Sequence, residues 1–475
     1  MFLRNRLAWW SAILGLFAFG TGSLSAETPV ASPADQAARV DEIVRQAMDR
    51  LGIPGVSLAV VRDGRLVLAK GYGLANIELQ VPAAPETVYQ IQSITKSFTA
   101  TGIMMLVEEG NVGLGNRLST YLAGTPEAWK DITIRHLLTH TSGIKDFINE
   151  PTASLRLDVT EEEVLKATAP RPLNFQPGQR YAYSNTNYHL LAMIIRKVTG
   201  KSYGDFLRER IFEPLGMADT DVNILSAIVP RRASGYQIAA DGWRNGELIA
   251  PSILAYGGGG LRSTVLDMAR WDAALYTESV LKKATLEQMW TPATLNNGKT
   301  TNYGFGWAIQ SISGHRCISH GGAHVTGFQT SFNRYVDDRL TVVVFSNCIG
   351  LGVDRLAQRV AGVYVPALAP PEYKLIDDQE PQIAEQLKSI YADWAAGRSD
   401  GKRFAPDLAK ALKKPELQQL VQALGPMRAL ALVERKADGD VRRYRYRATF
   451  QRRQFLIVVG FDKDDLIADF RTEPE

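Results

Sequence analysis

The sequence predicts an α/β (α+β) chain: an antiparallel sheet with helices on both faces and a helical subdomain, then a small C-terminal α+β domain. Three observations predict it. β-like runs stand at both ends of residues 36–365 and enclose a helix-rich middle. An antiparallel sheet whose N- and C-terminal strands are adjacent, covered by helices, satisfies that order. The stretch Ser93-Ile-Thr-Lys96-Ser-Phe-Thr-Ala-Thr-Gly-Ile103-Met-Met-Leu-Val107 becomes almost wholly apolar, the mark of a buried helix. Pro366-Ala-Leu-Ala-Pro-Pro371 is a linker by composition, and helices followed by a strand meander lie beyond it.

In chain order, Met1-Phe-Leu-Arg-Asn-Arg6 is a basic start, Leu7 to Phe19 is apolar apart from Ser11, and small residues follow to Ala26. That is the order of a secretory signal, here residues 1–26, with an apolar part short for the about 20 residues of a membrane span. An uncleaved anchor is the alternative. Without this segment the chain is expected in the periplasm or secreted, with no transmembrane segment. Thr28–Ala34 reads as a tether. Asp35–Leu51 carries Val40, Ile43, Val44, Ala47, Met48 and Leu51 at helical spacing, and Gly52-Ile-Pro-Gly55 ends it. Val56–Val61 and Leu66–Tyr72 flank Arg62-Asp63-Gly64-Arg65, a hairpin signal. Strands return at Trp307–Ser311, Arg316–Ser319, Gly327–Tyr335 and Leu340–Ser346, and Gly352–Val363 closes the domain as a helix. Residues 366–380 form the linker and 381–475 the second domain. There Ile383, Leu387, Ile390, Tyr391 and Trp394 mark a helix, Leu408–Leu424 a second one broken at Pro415, and four strand-like runs follow between Arg428 and Phe470.

The chemistry concentrates at Ser93. A serine hydroxyl is a poor nucleophile until its proton is removed. Lys96 shares a helix face with it, and an amine held in a partly dry pocket has a lowered pKa. Ser-x-x-Lys alone is weak: it recurs at Ser142–Lys145, Ser279–Lys282 and Ser399–Lys402, none of which opens a long apolar helix. Two further pieces strengthen Ser93. In Tyr183-Ser184-Asn185, just before a helical run, a tyrosine held near a lysine can be kept partly ionised as a general base, and the Asn185 amide can orient a carbonyl beside the lysine. In His320-Gly321-Gly322-Ala323, at the end of a strand, the glycines admit an extended substrate, and the Ala323 N–H can pair with that of Ser93 as an oxyanion hole.

Together, Ser93-x-x-Lys96, Tyr183-x-Asn185 and His320-Gly-Gly resemble the motif set of the serine β-lactamase and penicillin-recognising enzyme superfamily. The middle motif looks like the class C β-lactamases, their related esterases and the D-amino-acid-specific peptidases. Ile134-Arg-His-Leu-Leu-Thr-His-Thr-Ser-Gly143, Gly259-Gly-Leu-Arg-Ser-Thr264 and Tyr303-Gly-Phe-Gly-Trp307 extend the resemblance over about residues 36 to 364. It implies the β-lactamase/transpeptidase-like fold and an exported hydrolase that forms an acyl-enzyme on Ser93. The substrate would be a small-molecule or peptide ester or amide, and no metal or organic cofactor is required. His320 stands where antibiotic-hydrolysing members have lysine, which implies weak or absent β-lactam hydrolysis. A peptidoglycan D-Ala carboxypeptidase or β-lactamase and a penicillin-binding sensor without turnover are the alternatives. The C-terminal piece resembles the cone-shaped nuclear-transport-factor-like domains.

Other signals carry less. Net charge is +4, with Arg4 and Arg6 at the extreme N-terminus, so nothing calls for nucleic acid. Cys317 and Cys348 are expected to stay unpaired because they fall on non-adjacent strands at different heights. His136 and His140 read as hydrogen-bonding residues of a packed turn, and Gly257–Gly260 as a tight turn near the site. Arg442-Arg-Tyr-Arg-Tyr-Arg447 reads as a solvated strand face, with contact to an anionic cell-envelope polymer as the alternative.

Overall fold

The computed structural model describes residues 32–149, 158–239, 242–250, 256–350, 352–398, 401–412, 421–422, 424–438, 441–450 and 453–473. The expected signal and most of the tether lie outside them. The first helix, α1 (Pro33–Leu51), starts slightly earlier than its apolar spacing suggests, because Ser32 and Asp35 form a capping box and Pro33 occupies the first turn. Gly52, in the left-handed conformation, ends it.

β1 (Gly55–Arg62) and β2 (Arg65–Asn76) form the expected hairpin, with Asp63 and Gly64 at positive φ in its turn. β3 (Val81–Pro82) and β4 (Tyr89–Gln90) are short. Ser93 lies in a 3-10 turn, Gln92–Ile94, that leads directly into α2 (Thr95–Glu108). The middle holds α3 (Ile134–Leu138), α4 (Glu161–Thr168), α5 (Asn185–Thr199) and α6 (Tyr203–Leu207). After them come the short strands β5 (Asp221–Val222), β6 (Tyr236–Ala239), β7 (Gly242–Asn245) and β8 (Leu261–Ser263), then α7 (Val265–Ala274) and α8 (Lys283–Met289).

β9 (Ala308–Ile312), β10 (His315–His324), β11 (Phe328–Tyr335) and β12 (Leu340–Ser346) complete a seven-stranded sheet in the order β3-β2-β1-β12-β11-β10-β9. N- and C-terminal strands meet at β1 and β12, antiparallel from Val56↔Ser346 to Arg62↔Leu340. The central strands are apolar on both faces because both are covered. Val56, Leu58 and Val60 of β1, with Val342 and Val344 of β12, join one core with α1 and α9 (Val353–Tyr364). Ala59, Val343 and Phe345 point the other way, into the core with α2, α5 and α7. This second core contains the fully buried pair Arg334–Asp272, 2.7 Å apart, with Thr341 Oγ1 donating to the same carboxylate.

Two boundaries differ from the sequence reading. β10 continues through His320–Ala323, each paired with β11, where the glycines had suggested a strand end. The start of the linker is folded: Pro366–Leu368 is a 3-10 turn after β13 (Cys348–Ile349) and α9, and Leu368 is fully buried in the α1–α9 core. The two cysteines are free and buried. The second domain packs α10 (Pro381–Ala395) and the short α11 (Pro406–Ala411) on a meander of β14 (Met427–Asp438), β15 (Val441–Phe450), β16 (Gln454–Phe461) and β17 (Ile467–Glu473). Much of its basic strand is paired with acids: Arg442 with Glu380 and Asp465, Arg443 with Asp469, and Arg445 with Glu434 and Glu473. Arg445 is covered by its two acids rather than solvated. Among the described residues no helix is long and apolar enough to cross a membrane.

Candidate active site

The nucleophile turn is held from three sides. Gln92 takes a left-handed φ of 51°, a strained conformation for a non-glycine residue. Its Nε2 donates to Gln90 Oε1 and Thr326 Oγ1, 3.1 and 3.0 Å away. Thr330 Oγ1 donates to Ile91 O at 2.9 Å, and Leu261 N donates to Thr95 Oγ1 at 3.1 Å. Between Ile91 and Leu106 every residue is buried except Ser93, which is partly open. The turn therefore presents one hydroxyl from a dry wall.

Lys96 lies one helical turn inside and is wholly buried. Its Nζ is 3.1 Å from Ser93 Oγ, 2.8 Å from Asn185 Oδ1 and 2.6 Å from Gly258 O. Burial brings its pKa down to about 7, and the Asp146 carboxylate works weakly against that. A neutral amine has two N–H bonds and one lone pair. The Gly258 carbonyl can only accept, and so can Asn185 Oδ1. With both N–H bonds spent there, the lone pair is left for the Ser93 hydroxyl. Asn185 is oriented in turn: its Nδ2 donates to Asp146 Oδ2 at 2.9 Å, which fixes the amide with Oδ1 toward the lysine.

Tyr183 stands beside both groups. Its ring centroid is 4.6 Å from Lys96 Nζ, and the Ser93 side chain lies near its hydroxyl. Part of the ring opens to the cleft, but crowding by neighbouring atoms pushes the phenol well above the ordinary tyrosine range, and the nearby Ser93 side chain offsets only part of that. The two shifts run in opposite directions, Lys96 toward giving up its proton and Tyr183 toward keeping its own. His140 supports this motif from behind. Its Nδ1 accepts from Ser184 N at 3.2 Å, and its ring packs against Tyr183 and Tyr188, with centroids 4.3 and 5.0 Å away.

The third motif is built differently from its sequence reading. His320 is buried, with Nε2 2.9 Å from Tyr303 Oη and Nδ1 2.7 Å from Gly321 O. The carbonyl can only accept, so Nδ1 carries the proton and Nε2 accepts from the tyrosine. Both ring nitrogens are used inside the protein, and no imidazole N–H remains for a substrate. Burial, with Lys96 nearby, brings the His320 pKa down to about 3. Gly322 is required by the chain itself: a Cβ there would stand 2.6 Å from both Ile91 O and Gln92 Cβ. Beyond Ser319 the β9 side of β10 is unpaired, and Ala323 is exposed on that stretch. Arg262, which could have replaced a missing charge, is turned to Asp219 O at 3.1 Å and toward Asp221.

A family profile described as Beta-lactamase matches residues 40–364. The chain belongs to the beta-lactamase family. Within it the chain is 34% identical over 308 residues to penicillin-binding protein 4* of Bacillus subtilis, covering 61% of this chain and 67% of that one. It is 28% identical over 398 residues to a D-aminopeptidase of Gluconobacter oxydans, covering 81% and 72%. The D-amino acid amidase of Ochrobactrum anthropi, solved with L-phenylalanine amide, superposes with a TM-score of 0.62 at 28% identity over 70% of this chain and 99% of that one. The chain is a hydrolase of the β-lactamase fold.

For this beta-lactamase-family chain, sequence reasoning missed Asp146 and the bond from Tyr303 to His320, and gave Gly258 and His140 only as parts of packed turns. Asp146 and the Gly258 carbonyl fix the lysine's surroundings, while His140 and Tyr303 hold the second and third motifs. Tyr303 lies in Tyr303-Gly-Phe-Gly-Trp307, a stretch already singled out, and the same is true of His140 and of the Gly257–Gly260 turn. Asp146 follows Gly143 by three positions and has no local signature.

Proposed function

We propose that the chain is an exported serine hydrolase that cleaves esters or amides of the carboxylesterase or D-amino-acid peptidase type through an acyl-enzyme on Ser93. β-Lactam hydrolysis is weak or absent. The observation that carries this reading is the lone pair of Lys96, left facing Ser93 Oγ at 3.1 Å by two acceptors that occupy its protons. Lys96 takes the Ser93 proton as Oγ attacks the carbonyl. The backbone N–H groups of Ser93 and Ala323 hold the oxyanion. The Tyr183 hydroxyl, beside Ser93, relays that proton, giving its own to the leaving group and taking the one held on Lys96, and water then clears the acyl-enzyme along the reverse path. The D-aminopeptidase and D-amino acid amidase relatives support amides of D-amino acids as the first substrates to try. Against the β-lactam reading stands His320, which brings neither charge nor a spare N–H to a substrate carboxylate.

A panel of p-nitrophenyl esters, D- and L-amino-acid amides and a chromogenic cephalosporin tests the reading. Ser93→Ala is expected to abolish turnover and fluorophosphonate labelling. Labelling retained in that variant refutes the nucleophile, a burst without steady-state turnover points to a penicillin-binding sensor, and a cephalosporin hydrolysed faster than every ester and amide refutes the substrate class. Export rests on the basic, apolar and small-residue order of residues 1–26. Its test is intact-mass analysis of the periplasmic fraction, with a start close to Glu27 expected and a full-length mass in the membrane fraction against it.

A further inference from the structure

A groove of about 430 Å³ lies away from Ser93, where α1, α9, the linker and β15 meet. Its size is that of a small-molecule site. Five guanidinium groups line it: Arg39 and Arg50 from α1, Arg355 and Arg359 from α9, and Arg447 from β15. Two carboxylates, Asp35 and Glu372, share the lining. Asp35 is already committed to capping α1 through Ser32. Arg39 pairs with Glu42, while Arg50 and Arg355 reach the backbone carbonyls of Gln46 and Pro371. Arg359 is half-buried and makes no hydrogen bond or ion pair among the described residues. Burial, then Arg50 and Arg355, draw its pKa below the ordinary arginine range, and the Glu372 carboxylate offsets only part of that. Like charges gathered in a half-buried groove cost stability, and they are balanced when an anion enters.

We propose that this groove is a binding site for a phosphate-bearing anion. The number of guanidiniums selects the chemistry. One planar fork satisfies a carboxylate, whereas a phosphate offers three or more acceptor oxygens and takes several forks at once. Ile43, Val363 and Pro370 give the groove an apolar side, so the anion carries an organic portion. Four of the five arginines stand on α1 and α9, which pack in one core, so the site is pre-formed. Arg447, whose Nη2 donates to Tyr373 O at 2.7 Å, brings in the second domain. Occupancy would therefore tie the linker to both domains.

The test is calorimetry on the full chain with inorganic pyrophosphate at fixed ionic strength, repeated with vesicles containing phosphatidylglycerol. Saturable binding of about one pyrophosphate per chain is expected, weakened roughly tenfold or more in Arg359→Gln, as for loss of one charge-assisted bond. Turnover of a p-nitrophenyl ester is expected to be the same in both proteins. Arg359→Lys, which keeps the charge but not the fork, is expected to lie between them and serves if the glutamine variant does not fold. Pyrophosphate binding without vesicle binding identifies a soluble phosphate. Arg359-dependent vesicle binding that pyrophosphate competes away identifies a lipid headgroup. Absence of binding to either, or equal binding by wild type and both variants, overturns the proposal.

Discussion

At the scale of single residues, the site depends on where Lys96 keeps its proton. Because burial places its pKa near 7, kcat/KM is expected to fall about tenfold per pH unit below 7 and to flatten above it. The sign follows from the role: the base must be unprotonated, so activity is lost as pH falls. His320, near 3, adds no second step in that window. A profile that falls on the alkaline side of 7 instead would remove Lys96 as the base. The same shift has a stability consequence. The folded pKa lies below the 10.5 of an ordinary lysine, so the unfolded chain binds more protons between about pH 7 and 10.5, and stability rises with pH across that window. Lys96→Met is therefore expected to be inactive yet to melt higher than wild type, with the larger gain at pH 6 than at pH 10. His320→Lys tests the substrate reading. A second ammonium near Lys96 is expected to move the acid limb of the profile to lower pH and to raise cephalosporin turnover relative to ester turnover. An unmoved limb with an unchanged ratio would refute the electrostatic account.

At the scale of elements, the motifs were legible because each is a short pattern of side chains: Ser93 with Lys96, Tyr183 with Asn185, His320 with its glycines. What joins them was not. The Gly258 carbonyl is backbone, without a side-chain signature, and Asp146 acts through Asn185 from another loop. The glycines of β10 illustrate the limit. Glycine in a strand signals either an end or a close approach, and only packing decides between them. Here Gly322 lets β10 pass against Ile91 and Gln92 while staying in register with Thr330. Gly322→Ala is thus expected to push β10 off the nucleophile turn. It should cost about 1–3 kcal/mol in denaturant unfolding, as overpacking does, together with at least a tenfold loss of kcat. Unchanged kcat would show that the turn does not depend on that contact. The sheet carries a second dependency in Asp272, which meets fully buried Arg334. Asp272→Ala would strand that charge and is expected to cost about 3–5 kcal/mol.

At the scale of the whole molecule, the order of elements foretold the sheet with its helical insert, because strands apolar on both faces need covering layers on both sides. The proline-rich stretch misled by composition. Proline and alanine read as a spacer, yet Leu368 between them is fully buried, and Gln358 Nε2 donates to its carbonyl at 3.2 Å. Leu368 therefore packs with the α1–α9 core, three residues past the expected boundary at 365. All three motifs lie before it, and among the described residues the site takes no contact from the second domain. A chain truncated after Glu372 is expected to fold and to keep ester turnover within about twofold. One truncated after Val365 leaves the α1–α9 core open where Leu368 closed it. Removing a buried leucine costs about 2–5 kcal/mol even when the backbone remains, so this shorter chain is expected to melt lower by several degrees at least. Equal melting temperatures for the two would show that Leu368 contributes nothing to the catalytic domain. Loss of turnover in the longer, folded chain would show that the second domain acts on the site.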